Sequence, residues 1–357
     1  MGLGKKRYLD IWTADKIGCK KSVAGRADIE DYTDRQLRET LRYAIDRSPF
    51  YRELLGENGN VKACLDDRGR SVREIFGTLP FTTPEDLRTR ETELLCVRPN
   101  EISRIVTLGT GGSTGKPKRV YFTDEDQQLT VDYFQNGMQL IVDSSDKVLI
   151  LMPAEVPGSI GKLLGRGLRN FGAETVEYGL PGRREGEAEH LLELMSGEGV
   201  TSAVALPTHM RMLAEEYRNS SRKYKNINIR SVLLSAEYIS EQDVKIIEET
   251  FGCRVYEHYG MTEMGLGCAV SCGQGEGYHI RESDLYIEII DPVTGEIIED
   301  ERPGEVVFTT LNRRGMPFIR YRTGDFTRWI NEPCPCGSVL KRIAKVGPRE
   351  AVKGYLK

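Results

Sequence analysis

Nine residues constrain this chain most: Thr110-Gly111-Gly112-Ser113-Thr114-Gly115-Lys116-Pro117-Lys118. Glycines let a loop expose successive backbone N–H groups as a concave anion cradle. Thr110, Ser113 and Thr114 add hydroxyl donors, and Lys116 and Lys118 add positive charge, so the segment suits a polyphosphate. A Walker loop needs Gly where Thr110 stands and Ser or Thr where Pro117 stands. The residues that follow, Arg119–Phe122, alternate as a strand rather than opening a helix. The P-loop NTPase folds are excluded on sequence and on context.

The surrounding pattern predicts the fold class. Thr33–Leu55 reads as a helix capped by Thr33 or Asp34, with Leu37, Leu41, Ala44 and Ile45 at helical spacing and a break at Ser48-Pro49. Leu79–Leu87 reads as a turn into a short capped helix. Strands and helices then alternate. Ile102–Leu108 and Arg119–Phe122 are strands, Thr123 caps a helix to about Val142, and short apolar strands follow at Lys147–Met152, Ser202–Leu206 and Ser231–Leu234. Such alternation argues for an α/β fold with a mainly parallel, covered sheet. After Gly275 the texture changes. Leu285–Ile290, Glu305–Thr310 and Phe318–Tyr321 are short strands between Gly and Pro turns, which predicts a mostly antiparallel subdomain.

Composition narrows the partners. The chain has 357 residues, room for roughly two to three compact units or one composite one. Its net charge of −4 offers no concentrated basic face for nucleic acid or an anionic membrane. The first residues lack a signal peptide's apolar core, and no stretch approaches the ~20 apolar residues of a membrane span. Lys6 stands where a myristoylation site has Ser or Thr. The expected compartment is the cytoplasm.

Two further segments carry chemistry. In Tyr259-Gly260-Met261-Thr262-Glu263 a hydroxyl adjoins a carboxylate, so Thr262 can donate to an α-phosphate while Glu263 offers Mg²⁺ a hard oxygen. In Tyr321-Arg322-Thr323-Gly324-Asp325 a carboxylate after a glycine turn can accept from two ribose hydroxyls. Each segment alone is weak; the three in this order are specific.

In that order they resemble the adenylate-forming superfamily, whose matching segments contact phosphates, AMP with Mg²⁺, and ribose. Ser235-Ala236-Glu237 resembles the segment that lies against adenine. The chain is similar to the phenylacetate–CoA ligase and coenzyme F390 synthetase branch through Ser48-Pro49-Phe50-Tyr51-Arg52, Leu79-Pro80-Phe81-Thr82-Thr83, Val306–Leu311, Pro317–Thr323 and Cys334-Pro335-Cys336-Gly337. The resemblance implies the superfamily's large domain: two α/β sheet lobes plus a smaller β-rich lobe. It implies ATP-dependent activation of an aryl or small carboxylic acid as acyl-AMP, with CoA as acceptor and co-substrate. Adenylyl transfer to a cofactor, or nucleotide binding by a subunit that needs a partner, are the alternatives. The implied catalytic residues are Lys118, Thr262 and Glu263. The implied nucleotide contacts are Thr110, Gly111, Gly112, Ser113, Thr114, Gly115, Ser235, Ala236, Glu237, Tyr259, Gly260, Thr262 and Asp325. Pro207, His209 and His258 are the candidate substrate contacts. His190 reads as solvated and Arg183-Arg184 as a charged loop tip.

Of eight cysteines, five lie late in the chain, between Cys253 and Cys336, and that clustering points to metal rather than disulfides. Cys272, His279, Cys334 and Cys336 would complete a tetrahedral structural Zn²⁺ site, with Cys268 a competing ligand. Residues 1–345 are the expected adenylation domain, with the zinc-bearing subdomain at about 268–345. Residues 346–357 read as a hinge remnant. The resembled family continues into a small mobile C-terminal domain that carries a lysine promoting adenylation. Gly347-Pro348-Arg349-Glu350 stands here in place of its Gly-Arg-x-Asp. The expected alternatives are that a homodimer or a partner protein supplies that function, that the reaction is slow, that the chain mainly binds, or that the sequence has been cut short.

Overall fold

The computed structural model describes residues 8–56, 61, 65, 71–109, 116–182, 184–220, 223–224 and 226–348. Among the described residues the first elements are the helices α1 (Tyr8–Lys16), α2 (Arg26–Arg47), α3 (Pro49–Leu55), α4 (Val72–Thr78) and α5 (Pro84–Thr89). The break at Ser48-Pro49 is present. Ser48 caps α3 by accepting the Tyr51 N–H at 3.2 Å, with Pro49 at the first helical position where its missing N–H costs nothing. The predicted cap at Thr33 or Asp34 is corrected. The helix begins at Arg26, where Asp28 accepts the Gly25 N–H at 2.9 Å, and Thr33 sits inside it, donating its hydroxyl to the Ile29 carbonyl at 2.8 Å.

β1 (Arg104–Leu108) and β2 (Lys118–Phe122) form an antiparallel ribbon in which Leu108 pairs with Lys118. Thr123 caps α6 (Asp124–Met138) in a reciprocal box with Asp126. An α/β run follows: β3 (Lys147–Ile150), α7 (Ile160–Asn170), β4 (Glu174–Glu177), α8 (Glu187–Glu198), β5 (Ser202–Ala205), α9 (Pro207–Ser220), β6 (Ser231–Leu234), α10 (Glu241–Phe251) and β7 (Arg254–Tyr259). These strands pair in parallel, in the order β4-β3-β5-β6-β7. Both faces are covered, as the apolar runs predict. Val148, Ile150, Val204 and Leu233 point to one core, while Leu149, Ala203, Val232 and Leu234 point to a second one under α8, α9 and α10.

The later strands are β8 (Ala269–Val270), β9 (Tyr278–Ile280), β10 (Leu285–Ile290), β11 (Gly304–Thr310), β12 (Tyr321–Thr327), β13 (Trp329–Ile330), β14 (Arg342–Ile343) and β15 (Gly347–Pro348). They divide between two sheets. β8, β9, β14 and β13 extend the parallel sheet in antiparallel fashion to nine strands, while β10, β11, β12 and β15 form a separate antiparallel sheet. The strand expected at Phe318–Tyr321 starts only at Tyr321, because the Thr310 hydroxyl, not a ladder partner, takes the Phe318 N–H at 2.9 Å. Val346–Pro348, read as the start of a hinge, are tied down: Gly347 pairs with Phe326 and Pro348 with Asp325. Among the described residues no helix is long and apolar enough to cross a membrane.

Candidate active site

In open parallel sheets ligands sit beyond the carboxyl ends of the strands. Three of the sequence segments fall there: Leu206–His209 after β5, Ser235–Glu237 after β6, and Tyr259–Glu263 at the end of β7. Glu263 lies in a single 3₁₀ turn, Thr262–Met264, closed by Gly265 at φ 76°. Its side chain is 1% exposed. A buried carboxylate needs paired charge or hydrogen bonds. Lys118 Nζ lies 2.5 Å from its Oε1, and the Tyr321 hydroxyl donates to the same oxygen at 3.3 Å. Arg313 fixes the turn, donating to the Glu263 carbonyl at 2.7 Å and to the Tyr121 carbonyl at 3.2 Å. The three sequence segments thus converge: β2 supplies Lys118, the turn after β7 supplies Glu263, and β12 supplies Tyr321.

Asp325 stands on a bulge. Between the pairs Val307↔Arg322 and Glu305↔Phe326, β12 carries three residues against one, Thr323-Gly324-Asp325, with Gly324 at φ 77°. Bulges re-aim side chains; this one turns Asp325 to Tyr259, whose hydroxyl donates to it at 3.0 Å. Burial raises the Asp325 carboxyl above its ordinary value, with Tyr259 pulling the other way. Arg322 and the Gly324 N–H both bind Glu305, anchoring the turn from behind.

Ala236, Glu237, His258, Tyr259, Gly260 and Asp325 line one groove of about 160 Å³, floored by Val346, Gly347 and Pro348. Ala236 takes a left-handed φ of 71°, a conformation that costs a residue with a Cβ and that clusters at ligand-binding turns. A Cβ on Gly260 would lie 2.7 Å from the Gly267 Cα, so close backbone packing requires glycine there. Thr208 donates its hydroxyl to Glu237 at 3.1 Å, which ties the start of α9 to the groove.

His258 joins the groove to a second, apolar cavity of about 30 Å³ between α6, α7 and the sheet. Its Nδ1 is 2.8 Å from the Ser235 hydroxyl, while its Nε2 is buried without a hydrogen-bond partner among the described residues. Burial pushes the imidazole down to about 4, so it is neutral at physiological pH. Pro207 and His209 do not line either cavity among the described residues; they sit in the first turn of α9. Thr110, Gly111, Gly112, Ser113, Thr114 and Gly115 lie outside the described residues, as does Arg183. His190 is exposed, its ring 6.1 Å from that of Tyr178. Sequence reasoning missed Arg313 and the apolar walls from Tyr133 to Leu164. A signal existed only in α6, whose apolar stripe includes Tyr133, Phe134 and Met138.

Cys272, His279, Cys334 and Cys336 come together with their donor atoms within 4.8 Å of one another; Cys268 is buried elsewhere. The Cys272 and Cys334 sulfurs are 3.6 Å apart, and Cys336 Sγ is 3.4 Å from His279 Nε2. Tetrahedral zinc would hold two sulfurs about 3.8 Å apart and a sulfur–nitrogen pair about 3.6 Å apart, so the donor set fits. The Gln274 and Ser338 N–H groups point at Cys272 and Cys336. The hydrogen bond between Cys336 and Cys272 lowers the Cys272 thiol toward the thiolate and raises Cys336 in return, so the two share one proton.

Residues 35–312 match the family described as AMP-binding enzyme. The phenylacetate-coenzyme A ligase of Thermus thermophilus is 29% identical over 324 residues, 90% of this chain and 70% of the relative. That of Pseudomonas putida is 30% identical over 321 residues, 88% and 69% of the two chains. A crystal structure of 2-hydroxyisobutyryl-CoA ligase, in complex with 2-HIB-AMP and CoA in an open conformation, superposes with a TM-score of 0.78 at 21% identity. It covers 90% of this chain and 74% of its own. At that identity the likeness establishes the shared fold. The chain thus belongs to the AMP-binding enzyme family, in its phenylacetate–CoA ligase-like branch.

Proposed function

We propose that this chain activates a carboxylic acid with ATP and passes the acyl group to coenzyme A. A substrate carboxylate oxygen attacks the α-phosphorus, the α–β anhydride bond breaks, and pyrophosphate leaves. The coenzyme A thiolate then attacks the acyl carbon and AMP leaves. The observation that carries this reading is the junction at His258 and Ser235. There an apolar cavity, suited to an acyl group, shares its His258 wall with a groove lined by Asp325 and Tyr259. The relatives' activity as phenylacetate-coenzyme A ligases supports it.

Each residue then has a task. Thr110 to Gly115 cradle the phosphates together with Lys118. Thr262 donates to the α-phosphate. Glu263, held by Lys118 and Tyr321, would be the carboxylate that holds Mg²⁺. Magnesium held there would neutralise phosphate charge. Asp325 holds the ribose, and Ser235, Ala236 and Glu237 flank the adenine beside Tyr259 and Gly260. His258 faces the acid from the wall shared by both cavities, with Pro207 and His209 behind Glu237. Zinc held by Cys272, His279, Cys334 and Cys336 would be structural and would tie the loop after β8 to the connection between β13 and β14. Mass analysis of the products tests the reading. Acyl-CoA with free AMP supports it; AMP retained on an acceptor hydroxyl would replace it with an adenylyltransferase.

A further inference from the structure

The apolar cavity is small, and its size bears on the substrate. It measures about 30 Å³ and is walled by Tyr133, Phe134 and Met138 from α6, Met152, Leu164 from α7, and Val204 from β5. An apolar cavity that takes benzene is about 150 Å³, so this space falls several-fold short of one that accepts a phenyl ring.

The backbone fixes that size. A Cβ on Gly167 of α7 would come within 2.9 Å of the Gln135 nitrogen and 3.1 Å of the Val131 carbonyl oxygen of α6, so the two helices already touch at their closest approach. A Cβ on Gly161 would come within 2.9 Å of the Pro153 carbonyl oxygen, pinning the start of α7 to the segment after β3. On the far side Val204 and Leu233 belong to the central strands β5 and β6. Expansion is left to side chains, and among them to the unbranched, adaptable Met138 and Met152. Between carboxylate and wall there is room for a short chain only.

We propose that the acid activated here is a short aliphatic one, of about two to four carbons, rather than an aryl acid. This rests on the adenylation reading above and assigns that site its substrate class. Non-hydrolysable acyl sulfamoyladenosines, which mimic acyl-AMP, provide the test. Propanoyl, butanoyl and phenylacetyl analogues are titrated calorimetrically into the wild-type chain and into Met138→Ala and Met152→Ala. The propanoyl and butanoyl analogues should bind roughly tenfold or more tighter than the phenylacetyl one, since overpacking a filled site is penalised. Either alanine variant should narrow the gap by admitting the ring. If one variant fails to fold, the other and the wild-type comparison still decide. A phenylacetyl analogue that binds the wild type as tightly as the short ones overturns the size inference and leaves the adenylation reading intact. If none of the analogues binds more tightly than AMP itself, the adenylation reading falls and the inference with it.

Discussion

Lys118 Nζ sits 2.5 Å from Glu263 Oε1, joining β2, directly after the glycine-rich segment, to the turn that follows β7, 145 residues later. The carboxylate is buried and the ammonium is 19% exposed. Removing one partner strands the other. Lys118→Met should lower the unfolding free energy by roughly 2 kcal/mol, less than a fully buried pair would lose because the lysine is partly solvated. Adding Glu263→Gln should recover part of that loss. Urea denaturation of the single and double variants checks both, and a double variant no more stable than Lys118→Met would contradict the pairing.

His258 makes stability pH-dependent. Burial, assisted by Arg281, lowers its pKa from 6.5 to about 4. Between those values the unfolded chain binds the extra proton. The contribution is complete above pH 6.5 and is lost as pH falls toward 4. Stability should drop by roughly 1–2 kcal/mol from pH 7 to pH 5 through this residue, and His258→Gln should flatten that slope. Parallel slopes for the two proteins would exclude the assignment.

The four-residue cluster predicts one zinc per chain by elemental analysis. Chelation, or Cys336→Ser, should lower the melting temperature by about 5 °C or more, because the metal's binding energy is folding energy for the strands it staples. Cys268→Ser should leave the zinc content unchanged, since Cys268 lies outside the cluster.

What the sequence revealed depended on how local the signal was. The strand Lys118–Phe122 after the glycine-rich segment, the apolar runs of β3, β5 and β6, and the Ser48-Pro49 break are written in adjacent residues. So is the Cys334–Cys336 knuckle, closed by Gly337 at φ 80°. The two-residue strands β8, β13 and β14 are too short to show a period, and their place as an extension of the parallel sheet is set by pairing with distant chain. Thr33 has the chemistry of a cap, yet Asp28 ends the competition by capping Gly25 first. The cavity walls run from Tyr133 to Val270, and Arg313 reaches the Glu263 turn from 50 residues away. No spacing rule links such positions.

Arg320, 1% exposed, is held at φ 47° beside Tyr321 by bonds to Glu288, Gly77 and Leu79. Burial raises the Glu288 carboxyl to about 7 while Arg320 opposes it. Arg320→Leu should destabilise the chain by about 3–5 kcal/mol, and Arg320→Leu with Glu288→Leu by less. A double-mutant cycle on denaturation free energies measures the coupling; additive losses would mean that the pair does not interact.

An adenylation site built on Glu263 and its neighbours must support ATP–pyrophosphate exchange with Mg²⁺, measured against a panel of short aliphatic and aryl acids with Glu263→Gln as the control. Exchange should depend on the acid and be lost in Glu263→Gln while that variant stays folded. Exchange that needs no acid, or that survives Glu263→Gln unchanged, would rule out adenylation at this site.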